Sequence, residues 1–405
     1  MKVYIITKEP FPYGMAATNR IICYAKALQH ENIPCEVIIF TRTEVYGKKS
    51  NNTINKGNYE GISFRYISNT TFRSKNVIIR KIFDIFDRFK LRQYLKKELQ
   101  QDDVVIGYAG SLVNYINKII DLVHAKKAIY IRELCEFPYG TSKETKRNIR
   151  LRKIVLQKQF PKCDGFIAIS ETLKELAYKY KSSQAVVTKI PILVDFAKYN
   201  LPNYSYKASV PYIFHSGTLY EQKDGILGMI EAFGIAAQKI PFPIYFISTG
   251  DKENSPHKKE IDILIDKYHL KGQLLFIGYI TNDELREYLS KATLVIINKK
   301  NTQQNKYCFS TKLAEYLAAG KPTIITNIGE AINWLQDRES AIIIDSQNTL
   351  LMADKIIELF LNPALREHLS ITARQTCKTY FDYIHYGAII KSLIQEIKTN
   401  KNEHK

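Results

Sequence analysis

A chain of 405 residues with 45% hydrophobic and 24% charged residues has globular composition and the length of two ordinary domains, which excludes a low-complexity chain. The formal net charge of +19 is its one compositional anomaly and points to an anionic partner: nucleic acid, an acidic membrane leaflet or a phosphorylated substrate. Six scattered cysteines (Cys23, Cys35, Cys135, Cys163, Cys308, Cys377) without C-x-x-C spacing argue against a disulfide frame or zinc site and for reduced thiols in the cytosol. Met1-Lys2 runs straight into an apolar strand with no signal-peptide pattern, and no run of about 18 apolar residues follows. The expectation is a cytoplasmic protein, at most peripheral to a membrane.

In chain order, Val3–Thr7 reads as a buried strand, Lys8 to Ala17 as a loop, and the stretch carrying Arg20, Ile21, Tyr24 and Leu28 as a helix. Cys35 to Thr41 gives a second strand after a crossover helix, so the sheet begins parallel. Residues 43–61 are polar and read as a mobile loop. Further strands are expected at Val104–Tyr108, 128–131 and 165–169. The pattern restarts near residue 211, with strands at Tyr212–His215, 244–248, 274–277, Leu294–Ile297, Thr323–Thr326 and 341–344, separated by helices. Strands alternating with helices mean α/β. Two doubly wound domains in tandem would face each other across a cleft lined by strand carboxyl ends, where ligands of such sheets bind. The polar span 196–210 is the expected linker, and 399–405 a basic tail.

Phe309 to Thr326 reads as helix start, short helix, forced stop and strand. Ser310 is a candidate N-cap, Thr311 to Ala319 is rich in helix formers, Gly320 suits the left-handed position after the helix, and Pro322 forbids continuation. The amino end of such a helix attracts phosphate, beside Ser310, Thr311 and the charged Lys312. Glu315 lies about one turn further on the same face, where it could accept from two ribose hydroxyls. Phosphate at the cap with sugar one turn along is a nucleotide grip; a surface helix with a Lys312/Glu315 ion pair is the plainer alternative.

The motif Ser-Thr-Lys-x-x-Glu-Tyr-x-Ala-x-Gly-Lys-Pro resembles the donor-binding segment of family 4 glycosyltransferases of the GT-B fold. Phe214 to Gly225 resembles that family's strand followed by Gly-Arg and, five residues on, Lys-Gly. Ile277 to Leu285 is similar to its base-contacting Gly-x-x segment, and 164–171, 190–195 and 129–134 look like its stretches of the N-terminal domain. The resemblance implies two Rossmann-like domains: 1–195 binding acceptor and 211–380 binding nucleotide sugar, with 381–405 a C-terminal helix and tail returning to the N-terminal domain. It implies that Glu315 holds the ribose and that Ser310, Thr311, Lys312 and Lys223 meet the diphosphate. Gly217 and Thr218 would line the donor, Tyr279 and Ile280 would offer backbone to the base, and Gly14 would let the N-terminal domain approach phosphate and acceptor. Two positions depart from the family pattern: Tyr307 replaces the first of two glutamates, and Thr218 replaces the arginine that partners Lys223.

The implied activity is retaining hexosyl transfer from a nucleotide diphosphate sugar to a lipid-linked or polysaccharide acceptor in surface-glycan assembly, such as lipopolysaccharide or capsule. Lys223, Lys312 and the helix dipole would stabilise the leaving diphosphate without a metal or other cofactor; no D-x-D element is evident. Glu133, following a strand, is the first candidate for the acceptor's general base, with the departing phosphate as alternative. His215 ends a strand and reads as structural or as a ligand contact. The span Arg73 to Leu99 interleaves apolar and basic residues as an amphipathic helix or helix pair suited to an anionic membrane surface, and 143–158 adds a cationic run. The same apolar side chains could instead pack on the N-terminal sheet. A nucleotide-sugar epimerase of like architecture and a basic nucleic-acid-binding protein are the rival readings; no nucleic-acid module appears, so nucleic acid is not an expected partner.

Overall fold

The computed structural model describes residues 1–47, 50–108, 113–140, 144–200 and 210–403. The chain divides into two compact units, Met1–Leu193 with Tyr383–Lys405, and Val194–Asp382. Most of the expected linker, 201–209, lies outside the described residues, as do Lys143 of the cationic run and the last two residues of the tail. Residues 196–199 form a short 3-10 turn with Phe196 and Tyr199 buried, and this turn belongs to the second unit.

Eight strands of the first unit form one sheet in the order Val186–Lys189, Gly165–Ala168, Ile129–Leu134, Val104–Tyr108, Val3–Thr7, Cys35–Ile39, Ile62–Tyr66, Lys56–Tyr59. All neighbours are parallel except the last two. The strands Val3–Thr7, Cys35–Ile39 and Val104–Tyr108 are buried at every position, as a parallel sheet covered on both faces requires. The helix Gly387–Glu403 returns to this unit. Its Ile390, Leu393, Ile394 and Ile397 recur at helical spacing and join the same core as Ile21, Tyr24 and Leu28 of the helix Ala16–His30. Each such fully buried aliphatic side chain contributes about 1.5–3 kcal/mol.

One expectation needs correction in this unit. Within 43–61 there is ordered structure: Glu44–Val45 pairs with Phe72–Arg73, and Lys56–Tyr59 forms a hairpin with Ile62–Tyr66. Its turn is closed by the Asn58 side chain accepting the Gly61 N–H at 2.9 Å, and Ile62, Phe64 and Tyr66 alternate into the core. Arg73 to Leu99 contains one helix, Val77–Glu98, capped by Asn76, whose side chain accepts from the Ile78 and Ile79 N–H groups. Only Asp87, Leu91 and Leu95 of it are buried, so most of its apolar side chains do not pack on the sheet.

The second unit holds six parallel strands in the order Leu274–Phe276, Tyr245–Ser248, Tyr212–His215, Leu294–Ile297, Thr323–Thr326, Ile342–Ile344. Their core includes Ile230, Phe233, Phe246, Ile296 and Leu359. The strand sequence reverses direction between Tyr212–His215 and Leu294–Ile297, and ligands of open α/β sheets bind beyond the carboxyl ends at such a switch point.

Candidate functional site

A cluster of charged and polar side chains occupies that switch point. From the end of the first strand come His215, Ser216, Gly217 and Thr218; just beyond Leu294–Ile297 comes Lys299. The short helix Glu221–Asp224 supplies Lys223 and Asp224, and the helix Thr311–Ala318 supplies Lys312. Tyr316, buried on that last helix, ties it to the strand-end turn: its hydroxyl oxygen accepts the Ser216 N–H at 2.8 Å and lies 3.0 Å from Ser216 Oγ. Thr249 holds Gly217 from the other side, accepting its N–H at 2.8 Å and donating to its carbonyl at 3.2 Å. Phe309 packs on Trp334 and Phe381 and fixes the entry to the Thr311–Ala318 helix. Gly320, in the left-handed region with φ of 63°, follows that helix.

The electrostatics centre on Asp224, which is 2% exposed. Its Oδ1 accepts from Lys312 Nζ at 2.6 Å and stands 3.4 Å from Lys299 Nζ; its Oδ2 accepts from the Thr218 hydroxyl at 3.2 Å. Lys299 also donates to the Lys223 carbonyl at 3.0 Å. Burial alone would raise the Asp224 pKa, but the ammonium groups of Lys312 and Lys299 outweigh it and hold the carboxyl far below its usual range. Burial pulls Lys312 down to about 8, against the attraction of Asp224, and Lys299 and Lys223 push it the same way by repulsion. Burial, reinforced by Lys312, pushes His215 down to about 3, so its imidazole is neutral near pH 7. His215 Nδ1 lies 3.3 Å from the Ile296 carbonyl, while its buried Nε2 has no hydrogen-bond partner among the described residues. With Nδ1 donating to that carbonyl, Nε2 is left as an open acceptor.

Gly217 marks the floor of the space these groups surround. A Cβ there would come within 2.5 Å of Lys312 Nζ and 2.8 Å of His215 Nε2, so glycine keeps this volume free. A buried ammonium group, Lys299, and a half-buried one, Lys312, share one carboxylate, and a third, Lys223, is exposed beside them. The arrangement is one positive charge in excess before Lys223 is counted, which suits a polyanion. The amino end of Thr311–Ala318 adds first-turn N–H groups that lack intrahelical acceptors. Ser310 has the extended conformation of an N-cap, yet its hydroxyl makes no capping bond.

Of the residues singled out in the sequence, the structure brings Gly217, Thr218, Lys223 and Lys312 together, with Ser310 and Thr311 at the same helix start. Glu315 is half-buried one turn along that helix. Tyr279, 62% exposed, and Ile280 lie beyond the edge strand Leu274–Phe276, leading into the helix Asn282–Lys291. Gly14 is in the first unit. A Cβ on it would meet the Thr18 hydroxyl at 2.0 Å, the same hydroxyl that donates to the Pro10 carbonyl at 2.7 Å. Glu133 differs from expectation: it lies inside the strand Ile129–Leu134, 2% exposed, with Oε1 accepting from Arg20 Nε at 2.8 Å and 3.4 Å from the Tyr24 hydroxyl. Burial raises its pKa, opposed by Arg20. A residue near a strand end was expected to face open space; this one is directed into the core by its cation partner. Asp224, Lys299, Tyr316 and Thr249 were missed. The signals for the first two were thin: an acid next to Lys223, and a lysine two residues past a strand.

Residues 204–376 match the sequence profile of the family described as Glycosyl transferases group 1. A curated relative, the lipopolysaccharide core biosynthesis glycosyltransferase LpsD of Rhizobium meliloti, is 29% identical over 163 residues, covering 40% of this chain and 43% of that protein. The chain thus spans less than half the length of the curated relative it matches. Among solved structures, sucrose-phosphate synthase from Thermosynechococcus elongatus superposes with a TM-score of 0.72 at 14% identity, covering 98% of this chain and 99% of the other. A glycosyltransferase from Rickettsia africae gives 0.67 at 18% identity over 98% and 99%. HepE of Anabaena, solved in complex with UDP, gives 0.68 at 13% identity over 98% and 100%. Over 204–376 the chain therefore carries the group 1 glycosyl transferase sequence pattern, and over its whole length it has the GT-B fold of two Rossmann-like domains.

Proposed function

We propose that the chain is a glycosyltransferase that moves a hexose, with retention and without a metal, from a nucleotide diphosphate sugar to a lipid-linked or polysaccharide acceptor. The observation that carries the reading is the excess of positive charge around Gly217 at the sheet's switch point, beside an unfilled His215 acceptor. Breaking the bond between sugar and diphosphate develops negative charge on the β-phosphate. Lys312, held by Asp224, and the helix amino end are fixed in advance to stabilise it, with the exposed Lys223 beside them. Glu315, one turn along, accepts from the ribose hydroxyls, and the backbone at Tyr279 and Ile280 meets the base. With Glu133 neutralised by Arg20, the departing phosphate is the better proton acceptor for the attacking hydroxyl.

The UDP in the HepE structure and the lipopolysaccharide role printed for LpsD support a nucleotide donor and a surface-glycan product. The expected place of action is the inner face of the cytoplasmic membrane; among the described residues no helix is long and apolar enough to cross it. The test is calorimetric titration with UDP and UDP-sugars, followed by transfer assays on Glu315→Ala. Loss of a charge-assisted hydrogen bond of about 1.5–3 kcal/mol weakens donor binding roughly 10- to 150-fold. A Glu315→Ala enzyme with full transfer activity would remove the ribose assignment.

A further inference from the structure

The helix Val77–Glu98 presents an uncovered apolar row that no role in sugar transfer requires. Ile78, Ile82, Ile85, Phe86 and Phe89 follow one another at i, i+4, i+7, i+8 and i+11, one face of a helix of 3.6 residues per turn, and each is between 47% and 69% exposed. The opposite face is the one that holds the helix to its unit. Asp87 Oδ2 accepts from Arg42 Nε at 3.0 Å, the Arg42 guanidinium lies 3.9 Å above the Phe83 ring, and Leu91 and Leu95 are fully buried. The row is therefore turned outward by a fixed anchor.

Its borders identify the occupant. At 100° per residue, Lys81, Arg88 and Arg92 flank one side of the row and Lys90 and Lys97 the other, and the helix carries seven Lys or Arg against three Asp or Glu. Long cationic side chains beside an apolar stripe can lay their stems along it and lift their heads to the level of phosphate groups. A second copy of this helix is a poor partner, because a two-fold contact would set these cations against their own mates. We infer that Val77–Glu98 is a membrane-docking helix, lying in the plane of an anionic bilayer with Ile78, Ile82, Ile85, Phe86 and Phe89 in the acyl boundary and its flanking lysines and arginines among the headgroups. The inference rests on this surface alone and stands apart from the proposed reaction.

Flotation of the full-length protein with vesicles tests it. Vesicles containing phosphatidylglycerol should carry the protein upward, and vesicles of phosphatidylcholine alone should carry at least tenfold less. The triple variant Ile82→Ser, Ile85→Ser, Phe86→Ser should lose at least tenfold of the partitioning with an unchanged melting temperature, since all three side chains are exposed. Lys81→Glu with Lys90→Glu should lower the preference for anionic vesicles. The inference is overturned if the parent protein floats with neither vesicle, if the serine variant floats as the parent does, or if the parent is a dimer that the serine variant dissociates. Flotation needs no donor, so its failure leaves the transferase reading untouched.

Discussion

Each unit buries a cation against a carboxylate, and the two pairs are built to different ends. In the first unit Arg20 and Glu133 cancel one for one in charge and the remaining guanidinium donors go to the Pro191 and Ile190 carbonyls, although Glu133 Oε2 has no partner among the described residues. In the second unit Lys312 and Lys299 share Asp224, a neutral His215 nitrogen is left without a donor, and a glycine keeps the adjoining volume empty. Burial of charge alone does not mark a site, since structural pairs are buried too. What separates the two is balance: the first pair is electrically closed, and the second retains a net positive charge.

The largest expected effect comes from opening the closed pair. Glu133→Ala strands Arg20 in the core, and unfolding by urea should show a loss of about 3–5 kcal/mol; a variant of unchanged stability with abolished turnover would make Glu133 a catalytic base after all. Next, Lys312→Ala should weaken UDP binding roughly 10- to 150-fold, the worth of a charge-assisted hydrogen bond. Because Lys312 loses its proton as pH rises through about 8, UDP affinity of the parent protein should fall across that range, and Lys312→Arg should hold its affinity to higher pH. Gly217→Ala inserts a methyl against Lys312 and His215 and should cost about 1–3 kcal/mol in stability or affinity; unchanged UDP binding in that variant would show that the emptied volume is not where the ligand sits. The most gradual effect is in acid. His215 takes up a proton near its ordinary 6.5 when unfolded but only near 3 when folded. Between those values the unfolded chain binds more protons, so stability falls as pH drops, by about 1.4 kcal/mol per pH unit. His215→Gln should flatten that slope.

The same contrast explains what could be read in advance. Parallel strands buried on both faces appear in sequence as short apolar runs, so Val3–Thr7 and Thr323–Thr326 were legible to the residue. The hairpin Lys56–Tyr59 was not, because its outer strand is half exposed and holds Gly57 and Asn58. The helix start at Thr311 was visible from local chemistry. Its charge balance was not, since Asp224 lies 88 positions away, nor was the burial of Glu133, because Arg20 lies 113 away. Helical periodicity revealed the apolar row of Val77–Glu98, but a period cannot say which side of a helix meets the protein.

The helix Gly387–Glu403 completes the first unit although the whole of the second lies before it in the chain. On the ribosome, residues 194–382 emerge while Ile21, Tyr24 and Leu28 still await the aliphatic side chains that will cover them. The later-made unit is then the first able to finish folding. Until the last helix arrives, the apolar side chains of the earlier one that it covers stay exposed.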